Sequence, residues 1–136
     1  MSNDKNVASK QLSKDILPLF TDKNLVYVAT LMEDGSPQIT PTWVDVDESQ
    51  NTILVNTAKG RVKQKNLARD PRIAVAVVDR NNPYNVATIR GKVVEQATEG
   101  ADAHIDKLAK KYLGLDSYPF RNPSEQRVIL KIKPEK

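Results

Sequence analysis

The sequence contains no cysteine, which excludes disulfide bonds, thiolate zinc sites, iron–sulfur clusters and cysteine nucleophiles. Its only histidine, His104, is predicted at a helix surface or core edge, so we expect no metal site and no catalytic triad. Neither a Walker-type phosphate loop nor a Gly-x-Gly-x-x-Gly dinucleotide motif is present. An enzyme with so few candidate catalytic side chains would borrow its chemistry from a cofactor, and no residue is singled out as its acid or base.

Long apolar runs are also missing from the sequence. No segment is apolar enough over its length to cross a bilayer, and the polar N-terminus lacks the apolar core of a signal peptide. We therefore expect a cytoplasmic protein without membrane contacts. The length of 136 residues fits a single domain at residues 10–136, preceded by a disordered segment at residues 1–9.

Positive charge is in modest excess, with 21 Lys and Arg residues against 17 Asp and Glu residues. The basic residues concentrate in residues 59–72 and towards the C-terminus. This clustering fits a local site for a phosphorylated ligand at least as well as a nucleic-acid-binding face. A single-strand-binding barrel would need aromatic side chains beside the cations, and residues 59–72 contain none, so we expect no nucleic-acid partner.

Apolar and β-branched residues predict about six strands, at residues 25–31, 38–46, 52–57, 72–79, 86–96 and 128–132. Helical spacing predicts helices near residues 12–20, at 60–70, and from 101 to a cap at Gly114. Residues 80–85 are predicted as a loop, and Gly91 as a bulge or a point of close backbone approach. The hairpin spacing favours a mainly β fold with some α, a six-stranded antiparallel barrel with two to three flanking helices.

The segment from residue 56 to residue 67 is the most informative part of the chain. It runs from a strand end through Gly60 into a predicted helix start, where free N–H groups and the helix dipole favour an anion. Arg61 and Lys63 in the first turn oppose that dipole unless a phosphate is bound beside them. The alternative is a solvated basic helix face. The glycine, the loop and the conflict with the dipole together favour the ligand site.

Trp43 is the only tryptophan, and it follows Pro41 and Thr42 in a strand that must be irregular or at an edge, because proline removes a ladder donor. The indole is predicted to pack in the barrel core or a dimer interface, whereas the free backbone groups beside it could meet a planar heteroaromatic ring. Asp45 and Asp47 fall near a predicted hairpin turn, where carboxylates are common for turn chemistry alone.

These residues together resemble the pyridoxamine-phosphate-oxidase-like flavin and deazaflavin oxidoreductases, and within them the small F420-dependent type. The resemblance covers nearly all of the chain after residue 25. It rests on the order and spacing of Asp34-Gly35-Ser36-Pro37, Thr40-Pro41-Thr42-Trp43-Val44, Asn56-Thr57-Ala58-Lys59-Gly60-Arg61, Lys63, Asn66-Leu67, Asp70-Pro71-Arg72, Asn82-Pro83-Tyr84, Ile89-Arg90-Gly91, Ala109-Lys110-Lys111-Tyr112-Leu113-Gly114 and Tyr118-Pro119.

The resemblance implies a split β-barrel, the FMN-binding split-barrel fold, that works as a homodimer with cofactor sites at the subunit interface. It implies that Arg61 and Lys63 hold the cofactor phosphate, next to Lys59 and Gly60. The remaining site residues that it implies fall into three groups: Asn56 and Thr57 at the phosphate or ribityl chain, the backbone of Pro41, Thr42 and Trp43 along the ring, and Tyr84 and Asn85 from the partner subunit or the rim.

The function that the resemblance implies is hydride transfer between a bound cofactor and a small organic substrate. Coenzyme F420 is the expected cofactor and FMN is the alternative, because Lys59, Lys65 and Arg69 could form a basic path for the acidic F420 tail. The classical C-terminal residues that bind substrate phosphate are not recognisable, which argues against pyridoxamine phosphate as the substrate. A carrier or sensor of F420 or FMN without turnover remains the alternative function, and a nucleic-acid-binding barrel is a distant third.

Overall fold

The computed structural model describes residues 12–135. That range contains three helices and seven strands in one antiparallel sheet. The helices are α1 (Leu17–Thr21), α2 (Val62–Arg69) and α3 (Ala101–Leu113). The strands are β1 (Val26–Leu31), β2 (Pro37–Thr42), β3 (Asp45–Asp47), β4 (Thr52–Ala58), β5 (Arg72–Asp79), β6 (Asn82–Ala97) and β7 (Arg127–Pro134). None of the described helices has the length and apolar character needed to span a membrane.

The strand order β2-β1-β5-β6-β7-β4-β3 puts β2 and β3 at opposite edges of the sheet. These strands follow each other in the chain with only Trp43 and Val44 between them, so the two edges must meet at these residues. We call residues 43–44 the seam. No ladder between β2 and β3 is present among the described residues, and the chain itself passes from one edge to the other at the seam. The sheet is therefore a split β-barrel, which confirms the predicted fold class.

Side chains fill the interior of the barrel. Alternate residues of each strand point inward, among them Val26 and Val28 of β1 and Val75 and Val77 of β5, all at most 2% exposed. Phe20 of α1 is completely buried and belongs to the same cluster. Because the interior is packed, a ligand has to bind on the outside of the barrel.

The predicted strand at residues 38–46 is interrupted, which explains why the sheet has seven strands and not six. Residues up to Thr42 pair with β1, with Pro41 opposite Tyr27, whereas residues from Asp45 onward pair with β4. The chain leaves one edge of the barrel and joins the other, so it cannot stay in one continuous ladder. The irregularity predicted around Pro41 therefore falls just after it, at the seam.

The prediction of a loop at residues 80–85 is wrong for most of its length. Only residues 80 and 81 form the turn, and β6 already begins at Asn82. The pairing register shifts between Val78 and Asp79, which leaves residues 83–85 without partners on β5. Pro83 is tolerated in this strand because no ladder hydrogen bond requires its missing N–H. The polar composition reflects a hairpin tip that is exposed throughout, not a loop.

The glycine predictions agree with the structure. A methyl group at Gly91 would collide with the Lys133 carbonyl oxygen of β7, so this is a point of close backbone approach. Gly114 ends α3 in the left-handed conformation with φ of 74°. The helix predicted at residues 12–20 begins only at Leu17, with Pro18 in the first turn, where its missing N–H is tolerated. The segment predicted to be disordered, residues 1–9, lies outside the described residues.

Candidate functional site

A cleft of about 360 Å³ lies on the outside of the barrel, next to the seam. The end of β4, the start of α2, the inner face of α3 and the loop before β7 form its other walls. We call it the cationic cleft. Seven of the predicted site residues line it: Pro41, Thr42, Trp43, Asn56, Thr57, Arg61 and Lys63.

Four predicted residues do not line the cationic cleft. Lys59 and Gly60 lie in the exposed turn that leads into α2, directly before Arg61. Tyr84 and Asn85 lie at the tip of the β5–β6 hairpin, where Tyr84 is 92% exposed and Asn85 donates a hydrogen bond to Asp79. Neither residue lines the cationic cleft of its own chain, and their predicted role from a partner subunit stays a prediction.

The start of α2 is built as the sequence suggests. Gly60 has a φ of 90°, which favours glycine, and its N–H donates to the Gln64 side chain 3.0 Å away. Arg61 is the N-cap residue, but its side chain makes no capping hydrogen bond, and the first turn contains no acidic residue. The helix start therefore presents uncapped N–H groups and the positive end of the dipole beside the cleft.

Three cations converge on the cationic cleft: Arg61, Lys63 and Arg127. Burial, and then repulsion by the two arginines, holds the pKa of Lys63 below its usual value. Lys63 makes no hydrogen bond or ion pair with any residue in the described range 12–135. A half-buried ammonium group that faces like charges without a partner carries an electrostatic cost, and a bound anion would remove it.

Arg127 is the cation that the sequence analysis missed. It begins β7, opposite Ala58 of β4, and is only 8% exposed. Burial holds its pKa below the usual value. Its guanidinium lies over the Tyr118 ring, 5.4 Å from the centroid. Local sequence could not identify it, because the cleft joins it to α2 residues more than sixty positions earlier in the chain.

A series of buried hydrogen bonds connects Arg127 of β7 to α3. The Arg127 Nε group donates to Asn56 Oδ1 at 2.9 Å, and Asn56 Nδ2 donates to the Ala101 carbonyl at 2.9 Å. Asn56 Nδ2 also lies 3.2 Å from His104 Nδ1, and His104 Nε2 lies 3.2 Å from Asp45 Oδ2. His104 is 8% exposed, which agrees with the predicted core-edge position.

Asp45 differs from the turn residue that the sequence predicts. It lies in β3 and pairs with Lys107 of α3 at 3.1 Å as well as with His104. These hydrogen bonds, together with the one from the Val46 N–H, outweigh burial and hold the pKa of Asp45 well below its usual range. Asp47 does serve the turn, because it accepts from Ser49 Oγ at 2.7 Å.

An aromatic wall completes the cationic cleft. The Trp43 indole stacks on Tyr112 of α3, with centroids 5.3 Å apart, and meets Tyr118 edge-on at 6.0 Å. Tyr118 in turn meets Phe120 edge-on at 5.7 Å, and Phe120 is 70% exposed. Trp43 is half-buried on the outside of the barrel and is not part of the core cluster, so the predicted core position is wrong, and the predicted dimer-interface position stays a prediction. The wall was missed because Trp43 is far in sequence from the other three rings, which come from one C-terminal stretch.

One buried hydroxyl in the cationic cleft is unsatisfied. Thr57 is 1% exposed, and its Oγ1 atom has no hydrogen-bond partner among residues 12–135. Buried polar groups in folded proteins are nearly always paired, so this atom lacks a partner that a ligand could supply. The described residues contain no group of three or more His, Asp or Glu side chains placed to hold a metal ion.

The family model described as pyridoxamine 5'-phosphate oxidase matches residues 12–136. The chain belongs to the pyridoxamine 5'-phosphate oxidase family. Its fold is similar to that of an F420 reductase, with 25% identity over 92% of this chain and 97% of that chain and a TM-score of 0.79.

Two further solved structures support the fold of this oxidase-family chain. HupZ of group A Streptococcus is 23% identical over 93% of this chain and 91% of that chain, with a TM-score of 0.65. A conserved hypothetical protein of Mycobacterium tuberculosis is 20% identical over 94% of this chain and 87% of that chain, with a TM-score of 0.62. At these identities the likeness extends to the fold and no further.

Proposed function

We propose that this protein is an oxidoreductase that uses coenzyme F420, with FMN as the alternative, and that the cationic cleft binds the coenzyme phosphate. The observation that carries the proposal is the unpaired Lys63, held between Arg61 and Arg127 next to the unsatisfied Thr57 hydroxyl. A phosphate supplies negative charge and several acceptor oxygens, so it meets both deficits at once. The α2 N-terminus adds backbone N–H groups to the same anion site.

The tricyclic ring of either coenzyme would lie along the seam. Trp43 belongs to neither β2 nor β3, so its backbone N–H and C=O are not committed to a sheet ladder. The stacked pair of Trp43 and Tyr112 gives this wall a rigid apolar surface that excludes water. When bound, the coenzyme supplies hydride transfer, and the residues of this chain hold and orient it.

The choice of F420 over FMN rests on the basic residues near α2 and on the likeness to an F420 reductase. Lys59 and Lys65 are exposed near the start of α2 and can meet the carboxylates of an F420 tail. Arg69 is less available than the sequence suggested, because its Nη2 group donates to the Leu31 carbonyl at 2.7 Å. Replacing Lys59 and Lys65 together by alanine should weaken F420 binding several-fold and leave FMN binding unchanged.

We further propose that the protein is a homodimer. The outer face of β2, β1 and β5 is apolar and continuous, because the pairing register aligns Ile39, Ala29 and Ala74 in one row and Tyr27 and Ala76 in the next. Ile39 is 64% exposed and Tyr27 is 41% exposed. A second copy on this face would bury it and could bring its hairpin tip, with Tyr84 and Asn85, to the cationic cleft.

The test of the proposed function is coenzyme titration of the purified protein. Replacing Arg61 and Lys63 together by alanine should abolish measurable uptake of both F420 and FMN. The charge-matched control is the Lys23→Ala, Lys110→Ala double variant, because both lysines are exposed and neither lines the cationic cleft. Unchanged uptake by the Arg61 and Lys63 variant would refute the proposal.

A carrier or sensor is the second candidate function. The residues that line the cationic cleft include no aspartate, glutamate or histidine, so this chain offers no obvious proton donor beyond tyrosine and the cations. A screen of small unsaturated and carbonyl compounds with reduced coenzyme distinguishes the two functions. Oxidation of the reduced coenzyme that depends on a compound and on Arg61 and Lys63 supports the enzyme, and tight binding without turnover supports the carrier.

A further inference from the structure

We propose that Arg127 is a third ligand of the coenzyme phosphate and that Asn56 and His104 are positioning residues that hold its guanidinium in place. The proposal rests on the proposed function and goes beyond it in two respects. It assigns a phosphate contact to β7, and it gives Asn56 a different role from the direct contact expected from sequence. The test given last separates its failure from the failure of the proposed function.

The charge balance of the cationic cleft calls for a dianion. Among the described residues, Glu125 is the only carboxylate within ion-pair distance of the three cations. Its Oε2 atom lies 2.8 Å from Arg61 Nη2 and its Oε1 atom lies 3.5 Å from Arg127 Nη1, and Lys63 has no carboxylate partner. One negative charge against three positive charges leaves an excess of two. The phosphomonoester of FMN supplies about −1.5 to −2 near pH 7, whereas the phosphate of F420 is a diester with a single negative charge, to which the carboxylates of its tail add.

Arg127 has donors to offer that phosphate. Only its Nε group makes a short hydrogen bond to another described residue, and the contact of Nη1 with Glu125 is long at 3.5 Å. Its Nη2 group makes no hydrogen bond within the described residues. Among the described residues, the buried side-chain atoms without a partner do not include Nη2 of Arg127, so this group is open to the cleft, where an anion can accept its hydrogens.

The side chain of Asn56 is fully engaged inside the protein. Arginine is only a donor, so the amide must present Oδ1 to Arg127 Nε and Nδ2 to both the Ala101 carbonyl and His104 Nδ1. Both Nδ2 hydrogens are used in this arrangement. Asn56 therefore has no N–H left for a coenzyme, and its contribution is to fix the direction of Arg127.

The orientation of Asn56 fixes the tautomer of His104. Since Asn56 Nδ2 donates, His104 Nδ1 accepts, and the ring proton lies on Nε2, which donates to Asp45 Oδ2. Lys107 Nζ at 3.1 Å and the Val46 N–H at 2.8 Å hold that carboxylate. This series of hydrogen bonds is thus anchored at both ends, and it holds the Arg127 guanidinium in one plane over the Tyr118 ring. A guanidinium held in this way loses little conformational entropy when phosphate binds.

The experiment compares FMN affinity with protection by inorganic phosphate. Arg127→Gln removes the charge, and Arg127→Lys keeps the charge but removes the planar fork. Arg121→Gln is the matched control, because Arg121 pairs with Asp102 and Asp106 and does not line the cationic cleft. Charge-assisted hydrogen bonds predict that Arg127→Gln raises the FMN dissociation constant roughly 10- to 100-fold. It should also abolish the rise in melting temperature that phosphate gives over chloride at equal ionic strength.

The positioning role is tested at His104. Glutamine can accept from Asn56 and donate to Asp45, so His104→Gln should keep FMN affinity within about threefold of wild type. Phenylalanine can do neither, so His104→Phe should weaken FMN binding about tenfold and reduce phosphate protection. A purely structural role would lower the melting temperature without changing phosphate protection, and that result would overturn the positioning role.

The outcomes for Arg127 are also decisive. If folded Arg127→Gln and Arg127→Lys variants keep wild-type FMN affinity and phosphate protection, Arg127 is not a phosphate ligand. If FMN affinity falls but phosphate protection is unchanged, Arg127 serves the ring and the inference is again wrong. Either result leaves the proposed function intact as long as the Arg61 and Lys63 double variant loses both coenzymes.

Discussion

Replacing Thr57 by valine should stabilise the free protein and weaken coenzyme binding at the same time. The Thr57 hydroxyl is buried without a partner among the described residues, and an unpaired buried hydroxyl costs about 1–3 kcal/mol. Valine keeps the shape and removes that polar atom, so the free energy of unfolding should rise by about 1–3 kcal/mol. A hydrogen bond to a charged phosphate contributes about 1.5–3 kcal/mol, so the FMN dissociation constant should rise roughly 10- to 100-fold.

Thr30→Val is the matched control for this change. Thr30 is 2% exposed, but its Oγ1 atom accepts a hydrogen bond from Asn66 Nδ2 at 2.9 Å. Valine there leaves a buried amide group less well satisfied, so stability should fall by about 1–2 kcal/mol. Thr30 does not line the cationic cleft, so FMN affinity should not change. The same substitution therefore has opposite effects on stability at the two positions.

The assays are urea unfolding of the coenzyme-free protein and fluorescence titration with FMN. The reasoning is refuted if Thr57→Val destabilises the free protein by as much as Thr30→Val does, because the hydroxyl would then already have a partner. It is also refuted if Thr57→Val gains stability without any loss of FMN affinity, because the hydroxyl would then face no ligand.

Three further changes test other parts of the structure. Glu125→Gln removes the carboxylate that pairs with Arg61, so titration should show FMN binding about two- to fivefold tighter, and weaker binding would contradict the charge argument. Gly91→Ala should lower the free energy of unfolding in urea by about 1–3 kcal/mol, since the added methyl collides with the β7 backbone. Tyr112→Phe loses a hydrogen bond of 2.6 Å to the Asn24 carbonyl and should cost about 1–3 kcal/mol. Burial raises the pKa of Tyr112 to about 12, above its unfolded value of about 10, so its stabilising effect is complete below pH 10 and is lost as the pH rises towards 12. Unfolding of the phenylalanine variant should lack that alkaline loss.

The parts of the fold that local sequence determines were predictable. Alternation at residues such as Val26, Val28, Val75 and Val77 predicts strands, because each inward side chain must be apolar. Gly60 and the basic first turn of α2 mark the proposed anion site, because the conflict between cations and helix dipole is visible in a few consecutive residues. The same local signal places Lys63 in the cationic cleft.

The parts that depend on distant residues were not predictable. Arg127 lies 71 positions from its partner Asn56, and His104 lies 59 positions from Asp45, so only the closed barrel brings them together. The polar hairpin tip was mistaken for a loop because composition does not reveal that Pro83 sits opposite a register shift. Residues that act through long-range contacts carry no local pattern.

One helix connects the seam of the barrel to the proposed anion site. At the seam the Val44 backbone leaves the sheet ladders, and α3 satisfies it: Val44 N–H donates to the Tyr112 hydroxyl at 3.1 Å, and Lys111 Nζ donates to the Val44 carbonyl at 2.7 Å. Two turns earlier, His104 of the same helix contacts Asn56 and Asp45. A shift of α3 would therefore disturb the ring wall and the phosphate ligands together, which ties the geometry of both halves of the proposed coenzyme site to a single rigid element.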